Sequence, residues 1–469
     1  MRFPSAAVCV TLAVLPALAG RAAALTAAAL PDPQVPGFHF PEAEATILTW
    51  VRGLGSPAPA SADAFNSLGL HGWGLWTALT LETTQLDQGE NLRVFETWYT
   101  PQEFDGQFTL GTSPAAAPRP RSPLLNFRQF QTGLGPRMRD LLAQQGSETV
   151  FGYVKFDPTA AAHVAAQGLL RSAVLGQLLS GGAQQVPVFP NTALTLKSAF
   201  QILSAKTLVA GRYYRLNAWS GPPSSPQAWA PYQWPGVVWI DTQNGGSGSG
   251  QIDTLASTDG GSRTEETTYP VSSLINHRIT ALEAAQFNQT QPGADAAEGD
   301  YAVLVAMHVA GREITRWTWQ TFWWTPTPDD PKAPSSPALA ALRPAQLKGA
   351  ARNYAMAIGY DMTSPGQPDV GGQNAGAALY VYNPYLEARF GQANLPDSLP
   401  GYDPLGNPAP NNVGTQCNCM SCHIRANFNP ANLASAPRYS GSRYTDLSDP
   451  QFSGTLQVDF LWSLPEMAH

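Results

Sequence analysis

Along this chain the apolar positions change period several times, and those changes mark out its elements. From Glu42 to Leu54 the apolar residues Ile47, Leu48, Val51 and Leu54 recur at helical spacing, which predicts a short helix broken by Pro57-Ala58-Pro59. His71 to Thr83 (HGWGLWTALTLET) is aromatic throughout and fits either a strand or the start of an aromatic-lined helix. Leu92 to Tyr99 alternates, with Val94, Glu96 and Trp98 facing one way and Phe95, Thr97 and Tyr99 the other, so it reads as a strand ended by Pro101. Val150 to Phe156, Arg212 to Trp219 and Gly236 to Asp241 are further predicted strands. Asp157-Pro158-Thr159 starts a helix over Ala160 to Leu170, and Leu274 to Phe287 and Ala338 to Met356 are predicted helices. Residues 184–202 have no clear period. Leu379 to Tyr385 reads as a short strand and turn, and Asp459 to Leu464 as a closing strand.

The strongest pattern lies in the middle of the chain. Tyr301 to Val309 and Glu313 to Trp324 are β-rich runs around Ala310-Gly311-Arg312, a hairpin signature with Gly in the turn. Alternation puts His308 on one face with Leu304 and Ala306, and Met307 on the other with Val303 and Val305. The second run carries Trp317, Trp319 and Trp323 on one face and Phe322 and Trp324 on the other. Both faces are apolar, which predicts a central strand buried on both sides.

Composition sharpens the fold class. Charged residues make up 13% of the chain, Gly and Pro number 42 each and Trp 13, a turn-rich and aromatic profile. The Gly/Ser-rich stretch 242–264 and Gly366 to Gly376 read as loops. The expectation is an α+β, β-rich fold: a large mixed or antiparallel sheet core with short helices and long Pro/Gly-rich loops, not the small all-helical cytochrome c fold. Residues 1–24 read as a secretory signal peptide. Arg2 precedes an apolar run, Ala6 to Leu18, too short to span a membrane, and cleavage sites are offered at Ala17-Leu18-Ala19 and Ala22-Ala23-Ala24. Residues 25–394 then form the body and 395–469 a C-terminal segment packed on it. The expected location is periplasmic or secreted, with no integral membrane segment after cleavage. A formal net charge of −7 without a basic cluster makes nucleic acid an improbable partner.

The chemistry is concentrated in one short segment. Of the 4 cysteines, Cys9 falls in the signal, and Cys417, Cys419 and Cys422 lie together just ahead of His423. Cys419-Met420-Ser421-Cys422-His423 matches C-x-x-C-H, the attachment signature of a c-type haem. Two thiols one turn apart can add to the two vinyl groups of one haem, and the adjacent imidazole becomes the proximal iron ligand. Attachment takes place outside the bacterial inner membrane, so an export signal is what this motif requires. A local oxidised Cys pair is the bland alternative. A zinc or copper site is another, although zinc usually takes four protein ligands and no second Cys/His pair accompanies this one. Cys417 permits a second spacing, C-x4-C-H; the two-residue spacing is the common one.

A distal ligand is harder to find. The sole Met beyond His423 is Met467, almost at the terminus, and Met420 lies between the thiols. A second iron ligand would then come from the body. His308, beside the Trp-rich hairpin, is the leading candidate metal ligand; Met307, Met356, Met362, His71 and His163 are weaker. Arg312, Arg316 and His308 could line a distal pocket.

The attachment motif resembles those of c-type cytochromes. HGWGLWTAL, VFETWY, LVAMHVAGREITRWTWQTFWW, YNPYLEARF, CMSCH and DFLWSL, in that order, are together similar to a group of exported bacterial cytochrome-c-like proteins without an established reaction. The resemblance implies one covalent haem c and export. The expected function is periplasmic electron transfer between redox partners that the sequence does not identify. The alternative is a haem-dependent oxidoreductase of peroxidase or oxidase type with an open distal site and a small-molecule substrate. A Cys/His transition-metal-binding protein is a third reading.

Overall fold

The structure is a computed structural model that describes residues 26–54, 61–103, 125–126, 150–225, 227, 229–254, 262–290, 295–364, 377–388, 401–402, 408–409, 419–430 and 448–468. The expected signal peptide, Cys9, Cys417 and the loop Gly366 to Gly376 lie outside the described residues. In chain order, helices α1 (Glu44–Gly53) and α2 (Ala62–Thr80) lead into a ribbon of β1 (Glu82–Asp87) and β2 (Glu90–Arg93). Then come β3 (Leu125–Asn126), β4 (Phe151–Phe156), α3 (Pro158–Gln167), α4 (Ser172–Ser180) and β5 (Leu194–Leu203). Next are β6 (Tyr213–Ala218), β7 (Gly236–Asp241), β8 (Asp253–Thr254), β9 (Thr268–Pro270), β10 (Asn276–Arg278) and α5 (Ala281–Thr290). Strands β11 (Tyr301–Gly311) and β12 (Thr318–Trp324) precede α6 (Pro337–Ala341) and β13 (Tyr354–Ile358). Four two- or three-residue strands β14 to β17 (Thr363–Ser364, Ala377–Leu379, Gly401–Tyr402, Pro408–Ala409) flank α7 (Pro384–Glu387). The chain closes with α8 (Cys419–His423), β18 (Asn427–Phe428), β19 (Leu456–Gln457) and α9 (Ser463–Met467).

The fold is α+β and not all-helical. Among the described residues the main sheet has seven strands in the order β13-β12-β11-β5-β4-β3, with β10 paired to the far end of β11. Every pairing in it is antiparallel. A second sheet, β6-β7-β8 with β9 parallel to β7, stands apart from it.

Every residue of β5 and β12, and nearly all of β11, is buried, so the main sheet is covered on both faces. The first face carries Tyr153, Ser198, Met307, Phe322 and Met356, aligned across neighbouring strands. Helix α2 lies on it: Trp76 stacks on Phe322 at 4.3 Å, and Trp73 lies 5.9 Å from the same ring. Close approach needs Gly72, where a Cβ would stand 2.7 Å from the Met356 sulfur. The second face carries Val154, Lys197, His308, Thr321 and Ala357, again in one row, and it receives the C-terminal motif.

Several sequence expectations are corrected by tertiary context. His71 to Thr83 resolves as helix to Thr80, because its aromatic residues pack at helical spacing against β12 and β13. Leu92 to Tyr99 is not a strand: after Arg93 the chain turns into a 3-10 helix, Val94–Thr97, with the Arg93 amide donating to Glu96 and the Thr97 hydroxyl to the Val94 carbonyl. The hairpin is real, but its connection runs from Arg312 to Trp317, since Glu313 turns inward and Trp317 takes φ +62°. The register shifts between Leu304 and Ala306, which places Leu304 opposite Phe200 and Ala306 opposite Ala199. Leu304 therefore leaves the face it was expected to share with His308. Ala338 to Met356 is only a short helix, with Pro344 just beyond it and Met356 in β13. Leu274 to Phe287 divides into β10 and α5, and Asp459 to Leu464 is a turn entering α9 rather than a strand. Residues 184–202, without period, end in β5, which is buried on both faces and so has no alternation to show.

Helix α3 begins as its sequence predicts. The Asp157 carboxylate accepts from the amides of Ala160 at 2.8 Å and Leu194 at 3.0 Å, tying the helix start to β5. Burial nevertheless pushes the Asp157 carboxyl up to about 6, against those hydrogen bonds. A carboxyl that is more basic folded than unfolded makes stability fall as pH rises from about 4 to about 6. Asp157→Asn keeps the acceptor and removes that dependence. Urea titrations across this range should show a flatter pH profile for the variant and a gain over wild type at pH 7 of at most about 3 kcal/mol.

Candidate functional site

The motif folds as one helical turn, α8, against β12. Cys419 and Cys422 are both half-buried, on a helix where a separation of three places side chains on neighbouring ground. Met420 and Ser421 between them are buried, with Met420 in the continuous apolar cluster that also holds Ile424, Phe428, Phe460 and the strands of the main sheet. The thiols thus share the outer side of the turn while the residues between them anchor it.

His423 is fixed from two sides. Its ring lies 4.2 Å from that of Trp319, tilted by 41°, and its Nδ1 stands 2.7 Å from the Phe460 carbonyl oxygen. A carbonyl only accepts, so Nδ1 carries the proton and Nε2 holds the lone pair. The residue is only half-buried, yet the surrounding protein displaces enough water to push the imidazole down to about 3. The Phe460 bond opposes that shift, and His308 and Lys197 reinforce it electrostatically. A neutral imidazole with one nitrogen tied back and the other bare is the form in which histidine binds a metal.

The Phe460 carbonyl comes from an unusual turn. Leu461 donates its amide to the Val458 carbonyl at 3.0 Å, and both central residues have positive φ, Asp459 at +46° and Phe460 at +67°. This is the type I′ pattern, which ordinarily selects Asn, Asp or Gly, and a Phe there carries strain of about 1–2 kcal/mol. The Phe460 side chain is buried, and the Asp459 carboxylate accepts from Arg312 Nε at 3.2 Å and from the Phe189 amide at 3.0 Å.

His308 lies in this neighbourhood on the second face of the sheet, but its Nε2 is already engaged with Glu387 at 2.7 Å. Its Nδ1 is buried and has no hydrogen-bond partner. Any iron bond from the expected ligand His308 would have to use Nδ1 or displace Glu387. The other candidates are scattered. His71 lies on the first face, its Nε2 3.0 Å from Glu313 and its Nδ1 2.7 Å from the Tyr360 hydroxyl. His163 bonds the Pro187 carbonyl, and Met307 and Met356 point to the first face. Arg312 holds Asp459, and Arg316 lies 3.8 Å from the Met362 sulfur. Among the described residues no group of three or more His, Cys, Asp or Glu side chains is arranged to hold a metal ion. The transition-metal reading therefore has no ligand set among them.

Sequence reasoning missed Glu387, Asp459 and Phe460. Glu387 had a readable signal: Asn383-Pro384 opens a helix, and Glu387 reaches back to the Asn383 amide. Phe460 had none, because its contribution is a main-chain carbonyl. Comparison with protein-family models, with curated proteins and with solved structures returns no match. No helix among the described residues is long and apolar enough to cross a membrane.

Asn383 holds the outer wall of this site. Fully buried, it donates to Thr321 Oγ1 at 2.7 Å and to the Phe322 carbonyl at 2.9 Å while accepting from the Tyr385 amide. Asn383→Ala should lower stability by about 2–3 kcal/mol in urea titration, because it strands a buried carbonyl and uncaps α7. It should also release Glu387 from His308, seen as changed His308 ring 15N chemical shifts by NMR.

Proposed function

We propose that the protein is a mono-haem c-type cytochrome of the periplasm that carries electrons, with one haem c anchored by Cys419 and Cys422 and with His423 as proximal ligand. The observation that supports this reading best is the His423 tautomer. In a segment whose sequence is C-x-x-C-H, the Phe460 carbonyl leaves Nε2 as the bare nitrogen, and burial keeps the ring neutral. The half-buried thiols one turn apart suit the two thioether bonds. Bound there, haem supplies a one-electron Fe(III)/Fe(II) couple. The chain's own contribution would be to orient the imidazole through Phe460, to present Trp319 as an aromatic wall and to limit water around the ring, all of which would tune the potential of a bound haem. The redox partner is a protein of unknown identity.

One observation favours the second reading, a haem-dependent oxidoreductase with an open distal site. The His308–Glu387 pair has the form of an oriented acid–base group, since a carboxylate on Nε2 fixes the tautomer and supports the imidazolium. In that reading His308 would move protons for a small-molecule substrate; in the first its unpartnered Nδ1 would be a second nitrogen that could hold the iron.

The test is a visible spectrum of the protein exported from a host with haem-attachment machinery, oxidised and reduced, with a parallel acid-acetone extraction. Haem that stays with the chain and sharp reduced α and β bands are expected. Retained haem with a broad high-spin spectrum would replace the carrier by the oxidoreductase, with peroxide turnover lost in His308→Leu. A colourless chain beside a red control cytochrome would overturn both. The double variant Cys419→Ser, Cys422→Ser should lose all extraction-resistant haem, and His423→Ala should keep it while losing the low-spin bands.

A further inference from the structure

The Val458–Leu461 turn holds two unfavourable backbone conformations where one of its carbonyls meets His423. Strained backbone of this kind persists only where its surroundings over-determine it, and it concentrates at functional sites. Here the determinants are explicit. The Phe460 side chain is sunk in the apolar cluster, and the Asp459 carboxylate is latched by Arg312 and the Phe189 amide. Arg312 belongs to the connection after β11 and also donates to the Ile314 carbonyl at 2.8 Å, so its guanidinium ties the turn to the end of the main sheet. On the other side, Val458 donates to the Ala426 carbonyl at 3.2 Å, three residues beyond His423. The turn is held at both ends, and its free carbonyl has one direction to point.

We propose that Asp459 is a positioning residue for His423: through its latch to Arg312 and the Phe189 amide it keeps the Phe460 carbonyl on Nδ1 and so selects the Nε2 lone pair. The inference rests on the haem reading for its purpose but not for its geometry. A merely structural Asp459 would add stability and leave the imidazole tautomer alone. A positioning Asp459 controls which nitrogen is bare, and in the loaded protein how strongly the imidazole donates to iron, since a hydrogen bond on Nδ1 raises the basicity of a ligating histidine.

The full chain, produced without haem-attachment machinery, is labelled with 15N and its His423 ring nitrogens are read by long-range 1H–15N NMR. Wild type should show a single tautomer with a slowly exchanging Nδ1 proton. Asp459→Ala should show mixed tautomers and fast exchange of that proton. Asp459→Asn keeps the turn preference and an acceptor while losing the charge, and should fall between the two; it decides the matter if circular dichroism shows that Asp459→Ala does not fold. An unchanged tautomer and exchange rate in a folded Asp459 variant would overturn the proposal. In haem-loaded protein the same variants should have raised midpoint potentials, as a weaker axial donor stabilises Fe(III) less. Absence of covalent haem would remove the purpose and leave the NMR result to judge the positioning.

Discussion

The constraint on which the rest depends is the burial of the main sheet on both faces. A one-sided sheet can turn its polar residues to water; β5, β11 and β12 cannot. Each hydrophilic side chain inside them must find a partner in the protein or leave an orphaned group. Thr321 finds Asn383 on one face; on the other the Gln320 amide donates to Tyr360 while its Oε1 is left without a partner. Covering both faces requires elements from distant parts of the sequence, and these deliver the two sets of polar groups: α2 with His71 to the first face, the C-terminal segment with His423 to the second. The candidate site is thus built where an apolar wall and a closing segment meet, half-buried by the architecture.

The histidines on the two faces are held in several ways. On the first face, the Glu313 carboxylate takes His71 Nε2–H and leaves Nδ1 to accept from Tyr360, so both ring nitrogens are used. Glu313 in turn accepts the Glu42 amide at 2.8 Å, tying the entry to α1 to the hairpin connection. That network reads as a structural rivet. On the second face His423 has one nitrogen used and one bare, and His308 likewise has one engaged and one without a partner. His277, on the first face beside Phe200, repeats the His308 arrangement, with Nε2 3.2 Å from Glu283 and Nδ1 without a hydrogen-bond partner; what sets His423 apart is its place beside the cysteines.

Much of this was legible in the sequence where local rules act alone. The start of α3 at Asp157, the β11–β12 pair and the short α1 follow from capping and periodicity. The α+β class follows from composition and alternating runs. Strand β5 was not legible, because burial on both faces erases alternation. The 3-10 turn at Val94 imitates a strand in its side-chain pattern. The motif itself was fully legible, since C-x-x-C-H is a local constraint. The geometry around it was not: Phe460 acts through its backbone, Asp459 through a contact with Arg312, and no pattern in either stretch announces the meeting.

The sheet order carries a consequence for how the protein reaches this state. Strand β5 pairs with β11 from Leu194 opposite Gly311 to Leu203 opposite Tyr301, so the whole second sheet and α5 must be accommodated inside the loop those strands close. Pairings this remote in sequence are slow to form, because chain entropy is lost before contacts compensate. The five residues of α8 are far too few to hold a helix alone, and their support is β12, a strand of the main sheet distant from them in sequence. For an interval during folding, then, the cysteines sit on unstructured chain, open to whatever modifies them. Slow topology would give covalent chemistry its opportunity, and docking onto Trp319 would end it.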